Sequence, residues 1–378
     1  MTMRIHVLNV GLGDSAILES EKNGEKFWSL IDCKKYGPTT PAVEFLKERN
    51  IRNIQSIFIS HFHLDHISGL PDLADYLESA HITLEFLVFP PMLKHKRIVK
   101  ALIEASNTSI QTSLLDASIK ALDSLAGLKN SKGKQVERSY FIYEKDPPEI
   151  AWKPQYHKGL SFSALSPNAS MLEEVEKKFL VHQIDPQSSK VNSLSHCLLV
   201  RESTRGPLGF FPGDIEEPRV WRFVNNNISR LTIGKSNKIG FIKMAHHGAW
   251  QEIYSTVLPE LLSNKQHKVV ASISCPSGDR YHPHANTLNI LAKRCSNTEI
   301  VCTNRAVLCE FGDEEMLSCG FPSEKEEIFR ASAGIRNIGD SLPKGMKACA
   351  GNHEVVLEEN HVSVKKQYEN ECQVRFSL

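Results

Sequence analysis

The segment that most restricts the fold is Ile54–Ser60, a mostly apolar stretch rich in isoleucine, which runs straight into His61-Phe62-His63-Leu64-Asp65-His66. A mostly apolar run of this length reads as a buried strand. Gly69-Leu70-Pro71 then opens a helical segment over Pro71–Glu78. The sheet must therefore end where three imidazoles and a carboxylate crowd a strand-to-helix turn. Residues two apart in extended backbone point the same way, so His61 and His63 can grip one metal together. At the turn, Asp65 and His66 swing to the other side and can serve a second. Imidazole suits zinc, iron or manganese-type ions, and a carboxylate beside it favours a hydrolytic site with open coordination. The competing reading is a polar loop that happens to be rich in histidine.

Further donors stand at other strand ends. Phe210-Phe211-Pro212-Gly213-Asp214 is an apolar strand closing in a Gly-Asp turn, and a carboxylate there can bridge two metals. A Gly-Asp pair alone is an ordinary turn signal. Phe241–Ala245 leads into His246-His247-Gly248, where one imidazole can complete the second metal and the other touch substrate. His196, at the start of the strand Ser195–Glu202, is a candidate third ligand for the first metal, or a core or surface histidine. Tyr281-His282-Pro283-His284 can supply a histidine that protonates a leaving oxygen or binds phosphate. Lys243 and His284 are candidate substrate contacts. Asp32 follows a buried strand and, with Asp14, is expected to orient the ligands by accepting hydrogen bonds, since such outer groups fix imidazole orientation and basicity.

The rest of the chain is an alternation of strands and helices. Strands are expected at 3–10, 15–20, 27–33, 84–89, 159–166, 195–202, 208–212, 239–245 and 269–274, and helices at 41–49, 93–126 and 171–182. Mixed elements over most of the length make an α/β chain with sheets buried against helices. The division expected is a main domain over 1–320, with a helical insertion at about 92–135, and a C-terminal extension over 321–378. That extension is partly β, with strands 353–357 and 361–364. Lys94, Lys96, Arg97, Lys100, Lys129, Lys132 and Lys134 are either a solvated face or a basic rim for a phosphate backbone.

Bulk properties exclude little. With 45 basic and 44 acidic side chains there is no global field for nucleic acid or anionic membrane. No uncharged apolar stretch has the length of a membrane span, and the opening MTMRIHVLNVGLGDS lacks the pattern of a signal peptide. Nine scattered cysteines with no CxxC pair argue against a disulfide framework or a cysteine zinc site. A reduced, cytoplasmic setting is the expectation.

Taken in order, these motifs resemble the metallo-β-lactamase fold superfamily, with the nearest likeness to the soluble hydrolase domain of the ComEC competence (DNA-uptake) proteins and its free-standing relatives. Asn9-Val10-Gly11-Leu12-Gly13-Asp14-Ser15 is similar to the family's Asp-Val-Gly-Gln-Gly-Asp-Ala/Ser opening, and Leu30-Ile31-Asp32-Cys33 to its Leu-Ile-Asp-Thr/Cys. His61 to Gly69 follows its His-x-His-x-Asp-His-x-x-Gly. Phe162–Pro167, Gly213-Asp214, His246-His247-Gly248 and His282-Pro283-His284 also match. The resemblance spans about residues 3 to 310. It implies a four-layer α/β/β/α sandwich holding two divalent metals, zinc or manganese, at one edge of paired sheets. Its implied ligands are His61, His63, Asp65, His66, Asp214 and His247, with His246 and His282 nearby. Asn9 and Leu12 depart from the family's Asp and Gln. Its Asn-x-x-Ser signature falls on Asn192–Ser195, directly before His196, which leaves the role of His196 open.

Two cations sharing one water would bring its pKa towards neutrality and offset charge on a phosphoryl group. The function expected is a metal-dependent phosphodiesterase or nuclease on DNA or RNA, in a defence or DNA-processing system and working with a partner such as an ATPase. Asp65, Asp214, His246 and His282 are its expected catalytic groups. The alternatives are a hydrolase of a small phosphoester or a lactam, and a binding module without turnover.

Overall fold

In the computed structural model, residues 2–89, 109–140, 157–180, 192–202, 206–231, 239–262, 268–275, 282–295, 297–304, 352–358 and 361–367 are described. The strands are β1 (Met3–Val7), β2 (Ala16–Lys22), β3 (Glu25–Ile31), β4 (Asn53–Phe58), β5 (Thr83–Phe89), β6 (Glu137–Tyr140), β7 (Ser161–Ser166), β8 (Cys197–Arg201), β9 (Leu208–Phe211), β10 (Ile239–Lys243), β11 (Val269–Ile273), β12 (Thr298–Cys302), β13 (His353–Glu358) and β14 (His361–Lys366). They build an eight-stranded sheet, β14-β13-β1-β2-β3-β4-β5-β6, and a six-stranded sheet, β12-β11-β10-β9-β8-β7. The helices are α1 (Pro41–Glu48), α2 (Leu64–Ile67), α3 (Leu70–Ser79), α4 (Ser109–Gly127), α5 (Ala169–Leu180), α6 (Pro218–Leu231), α7 (Tyr254–Leu262) and α8 (Ala285–Arg294).

Period-two patterning decides which way each strand faces. Met3, Ile5 and Val7 of β1, Leu18 of β2, Phe162 of β7, Phe211 of β9 and Phe241 of β10 meet in one apolar cluster between the sheets. The opposite faces, through Ile17, Leu30 and Ile57 in one sheet and Leu199, Phe210 and Ile242 in the other, pack on residues of the helices. The result is the α/β/β/α sandwich, with apolar residues of each sheet buried on both of its faces.

The C-terminal β segment is joined to the first sheet. β13 lies antiparallel to β1, with Ile5 opposite Val355, and Leu357 and Val362 belong to the cluster between the sheets. The second sheet makes room for this hairpin: a Cβ on Gly240 would stand 3.0 Å from Val362 and 3.2 Å from Leu357.

Five elements went unread in the sequence: β6, β12 and the helices α6, α7 and α8. The expected helix over 93–126 is described only from 109, as α4, and Lys94, Lys96, Arg97 and Lys100 lie outside the described residues. Lys129, Lys132 and Lys134 occupy the exposed turn before β6. The Lys129 carbonyl accepts from Leu84 N near the start of β5, at the opposite end of the parallel strands from His61. No helix among the described residues is long and apolar enough to cross a membrane.

Candidate metal centre

The centre is assembled at the ends of β3, β4, β9 and β10. Beyond β3 the chain turns at Asp32, whose φ of 56° is left-handed. That turn aims the carboxylate at the end of β4. Asp32 Oδ1 accepts from Ser60 N at 2.7 Å and Oδ2 from Ser60 Oγ at 2.7 Å, while Oδ2 also meets His66 Nδ1 at 2.8 Å. Asp32 thus fixes His66 with Nε2 facing the site, the orienting role expected of it. Asp14 N donates to Asp65 O at 3.0 Å, tying the turn between β1 and β2 to the ligand loop. Gly13 makes that approach possible: its φ is 135°, and a Cβ would fall 2.2 Å from Asp65 O.

Asp214 enters from the second sheet. Gly213, with φ 60°, leaves no space for a side chain, since a Cβ would lie 2.7 Å from Ser195 Cβ, and Asp214 N donates to Ser195 Oγ at 3.2 Å. The Asn192–Ser195 signature therefore acts as a support for Asp214. His246 and His247 follow β10 on left-handed backbone, with φ of 46° and 54°. Non-glycine residues rarely adopt this conformation, and held strain of this kind is found where side chains must be aimed.

These turns converge. Asp65, His66, Asp214 and His247 each offer an atom within 4.8 Å of the others, as do His61, His63 and Asp214. Asp214 belongs to both groups. Its Oδ2 lies 3.7 Å from His61 Nε2 and 3.9 Å from His247 Nε2, and its Oδ1 lies 3.3 Å from His66 Nε2. A third group, Asp14, Asp32 and His66, is closed internally by the Asp32 bonds above and by Lys243 Nζ, 2.6 Å from Asp14 Oδ1. Two groups thus remain open to ions.

The donors fit divalent cations. His61 Nε2 is buried without a hydrogen bond, and burial, with His66 beside it, pushes the His61 pKa well below its usual range. A neutral ring with an unspent lone pair is a ligand in waiting. Burial would raise Asp214, but His66 and His247 hold its carboxyl well below the usual range. Burial would lower His247, but Asp214, Asp14 and Asp65 push it up to about 9. Protons here occupy the place of cations and would leave as ions bind.

Other expected residues are placed as follows. His282 lies at the mouth, its ring centroid 5.8 Å from that of His246 and 6.2 Å from that of His247. His284 accepts from Asn286 N as the cap of α8 and stacks on Trp250 at 6.2 Å. His196 Nδ1 bonds the Ile59 carbonyl at 3.2 Å, and the residue borders a small internal cavity with Asp14, Asp32, Ser60 and Lys243. It stands in none of the groups above. Lys243, expected as a substrate contact, is buried and borders the same internal cavity. Glu216 was missed: its carboxylate contacts His246 Nδ1 and accepts from Asn192 Nδ2 at 3.0 Å. It outweighs burial, together with Asp214, to raise the His246 pKa. The acidic run after Asp214 is the signal that was available.

Residues 10–104 match the family described as the metallo-beta-lactamase superfamily. No curated protein matches the chain. Among solved structures, the metallo-beta-lactamase fold protein YhfI from Bacillus subtilis is 10% identical over 80% of this chain and 95% of its own, with a TM-score of 0.42. Unliganded yeast PDE1 is 11% identical over 80% and 97%, with a TM-score of 0.42. A diphosphatase of the PhnP family is 12% identical over 80% and 94%, with a TM-score of 0.39. The segment 10–104 carries the mark of the metallo-β-lactamase superfamily, and the stacked sheets with their outer helices give the described chain the metallo-β-lactamase fold.

Proposed function

We propose that this chain is a two-cation phosphodiesterase acting on DNA or RNA. The observation that carries the reading is the sharing of Asp214 between two donor groups, one of His61 and His63, the other of Asp65, His66 and His247. Divalent cations bound in such a cradle acidify a water and neutralise phosphoryl oxygens. The chain's own part is to hold that cradle rigid and to frame its mouth. Asp32 locks His66, Ser195 supports Asp214, and His246 and His282 offer ring nitrogens to an anionic ester or its leaving oxygen. Nucleic acid as the substrate rests on the ordered motif resemblance to the DNA-uptake hydrolase domains.

Metal analysis of the purified chain, coupled to turnover, tests the reading. We expect close to two zinc or manganese ions per chain, and cleavage of a linear oligonucleotide and of bis-p-nitrophenyl phosphate but not of nitrocefin. Metal with hydrolysis of small esters alone would move the substrate to a small phosphoester. Nitrocefin turnover would move it to a lactam, and absence of both metal and turnover would overturn the enzyme reading.

A further inference from the structure

Lys243 ends β10 and points into the space between the sheets, 4% exposed. Phe241, two residues earlier on the same strand, fills that space with an aromatic ring, so packing alone does not call for an ammonium here. Burying one costs several kcal/mol unless it is paired. Its partner is Asp14, at 2.6 Å. The same Asp14 oxygen lies 3.6 Å from His247 Nδ1, and His247 Nε2 reaches Asp65 Oδ2 at 3.0 Å. A line of charge approaches runs from Lys243 through Asp14 to His247 and into the cation cradle, its middle step an ion-pair distance longer than a hydrogen bond.

We propose that Lys243 is a positioning residue: its ammonium fixes Asp14, whose carboxylate stands as a charge behind Nδ1 of His247 and so keeps His247 Nε2 turned towards Asp65 and the cradle. Without Lys243, Asp14 Oδ1 keeps only His247 as an ion-pair partner among the described residues, and the carboxylate is free to turn away from the ring it backs. The inference rests on the two-cation reading of the site.

The test uses the full chain with Lys243→Met, Lys243→Arg, Asp14→Asn and the Lys243→Met/Asp14→Asn double variant. Zinc is the probe, with affinities read by competition against a chelator and turnover read on bis-p-nitrophenyl phosphate. Loss of an orienting group behind a histidine ligand weakens metal binding by about 10- to 100-fold. We expect Lys243→Met to weaken one zinc ion by that factor and leave the other unchanged. At limiting zinc, kcat should fall with KM held, and Lys243→Arg should restore both. The double variant should bind no worse than Asp14→Asn, because the two residues act in one line.

A folded Lys243→Met that binds both ions like wild type overturns the inference, as does a raised KM at constant kcat, the mark of a substrate contact. Should Lys243→Met fail to fold, the double variant, which buries no lone charge, carries the test with the same two outcomes. A wild-type chain that binds no zinc defeats the reading of the site instead. Urea unfolding of the four metal-free proteins then decides the Lys243–Asp14 link, with additive losses of stability counting against it.

Discussion

The two six-stranded halves of the sandwich, β1–β6 and β7–β12, repeat one pattern of pairing. In each, the first two contacts are antiparallel and the next three parallel. Each third strand is followed by a left-handed residue, Asp32 with φ 56° in one half and Gly213 with φ 60° in the other. Each fourth strand is followed, three residues on, by histidines. Beyond that the halves diverge. The first packs four donors into the six residues His61–His66, on backbone that passes from strand to helix. The second gives one carboxylate after β9 and one imidazole after β10, placed by left-handed turns. The first half is thus a cluster and the second a closure. A chain with only the first half would hold His61 and His63 without the carboxylate that links them to the second group.

That asymmetry ranks the ligand substitutions. Asp214→Ala should cost both groups and remove zinc almost entirely, with turnover down by at least ~10³-fold, about 4 kcal/mol of barrier. Asp65→Ala should also abolish hydrolysis, yet keep the ion held by His61, His63 and Asp214. Zinc per chain, with circular dichroism to confirm folding, separates the two. Equal metal loss in both variants would break the comparison, and full turnover of Asp65→Ala in a metal-replete assay would remove Asp65 from the chemistry.

The supporting glycines should follow the same ranking. In the first half, Gly13→Ala forces a Cβ to 2.2 Å from Asp65 O and 2.3 Å from Lys34 Cδ, at φ 135°. The first of these contacts is to backbone and cannot yield, so a loss of about 4 kcal/mol or more is expected. In the second, Gly213→Ala is also strained at φ 60°, but its closest contact is Ser195 Cβ at 2.7 Å and not a backbone atom, so the loss should be smaller. Denaturant midpoints should fall further for Gly13→Ala. The reverse order would mean that the Asp214 turn, and not the Asp65 loop, is the stiffer part.

The same contrast explains what was legible in the sequence. His61–His66 could be read because all its donors sit within one strand-to-helix turn, where period alone fixes their directions. Asp214 and His247 were readable as strand ends, but their meeting with Asp65 depends on how two sheets stack, which no local pattern encodes. Lys243 was expected to touch substrate, and its burial between the sheets shows only once they are stacked. Glu216 was lost for the same reason: its partner His246 lies on another strand. Helix α6 carried a usable signal, with Pro218 opening an apolar spacing of Val220, Trp221, Val224 and Ile228. The β12 strand, Thr298–Cys302, is short and half-polar, and pairing with β11 supplies what its sequence does not.

The outer faces of the two halves differ as well, and pH can show it. On the second sheet that face offers Leu199, Phe210, Ile242 and Ala271 to the helices. On the first, Glu19 is buried there among His6 at 2.9 Å, Lys26 at 2.8 Å and Arg4 at 3.3 Å. Burial alone would raise the Glu19 pKa, but the hydrogen bonds from His6 and Lys26 bring it from 4.5 down to about 2. A carboxylate with a depressed folded pKa adds stability that is fully present above 4.5 and disappears as the pH falls towards 2. After allowance for the solvent screening of Lys26 and Arg4, the contribution is about 2 kcal/mol. Glu19→Gln should therefore lower stability by that amount at neutral pH and flatten its fall between pH 5 and pH 2, with the two proteins converging in acid. Urea unfolding across that range reads the effect in the metal-free chain, where ion release cannot imitate it. Parallel curves for wild type and Glu19→Gln would show that the acid sensitivity of the first half lies elsewhere than in this ion cluster.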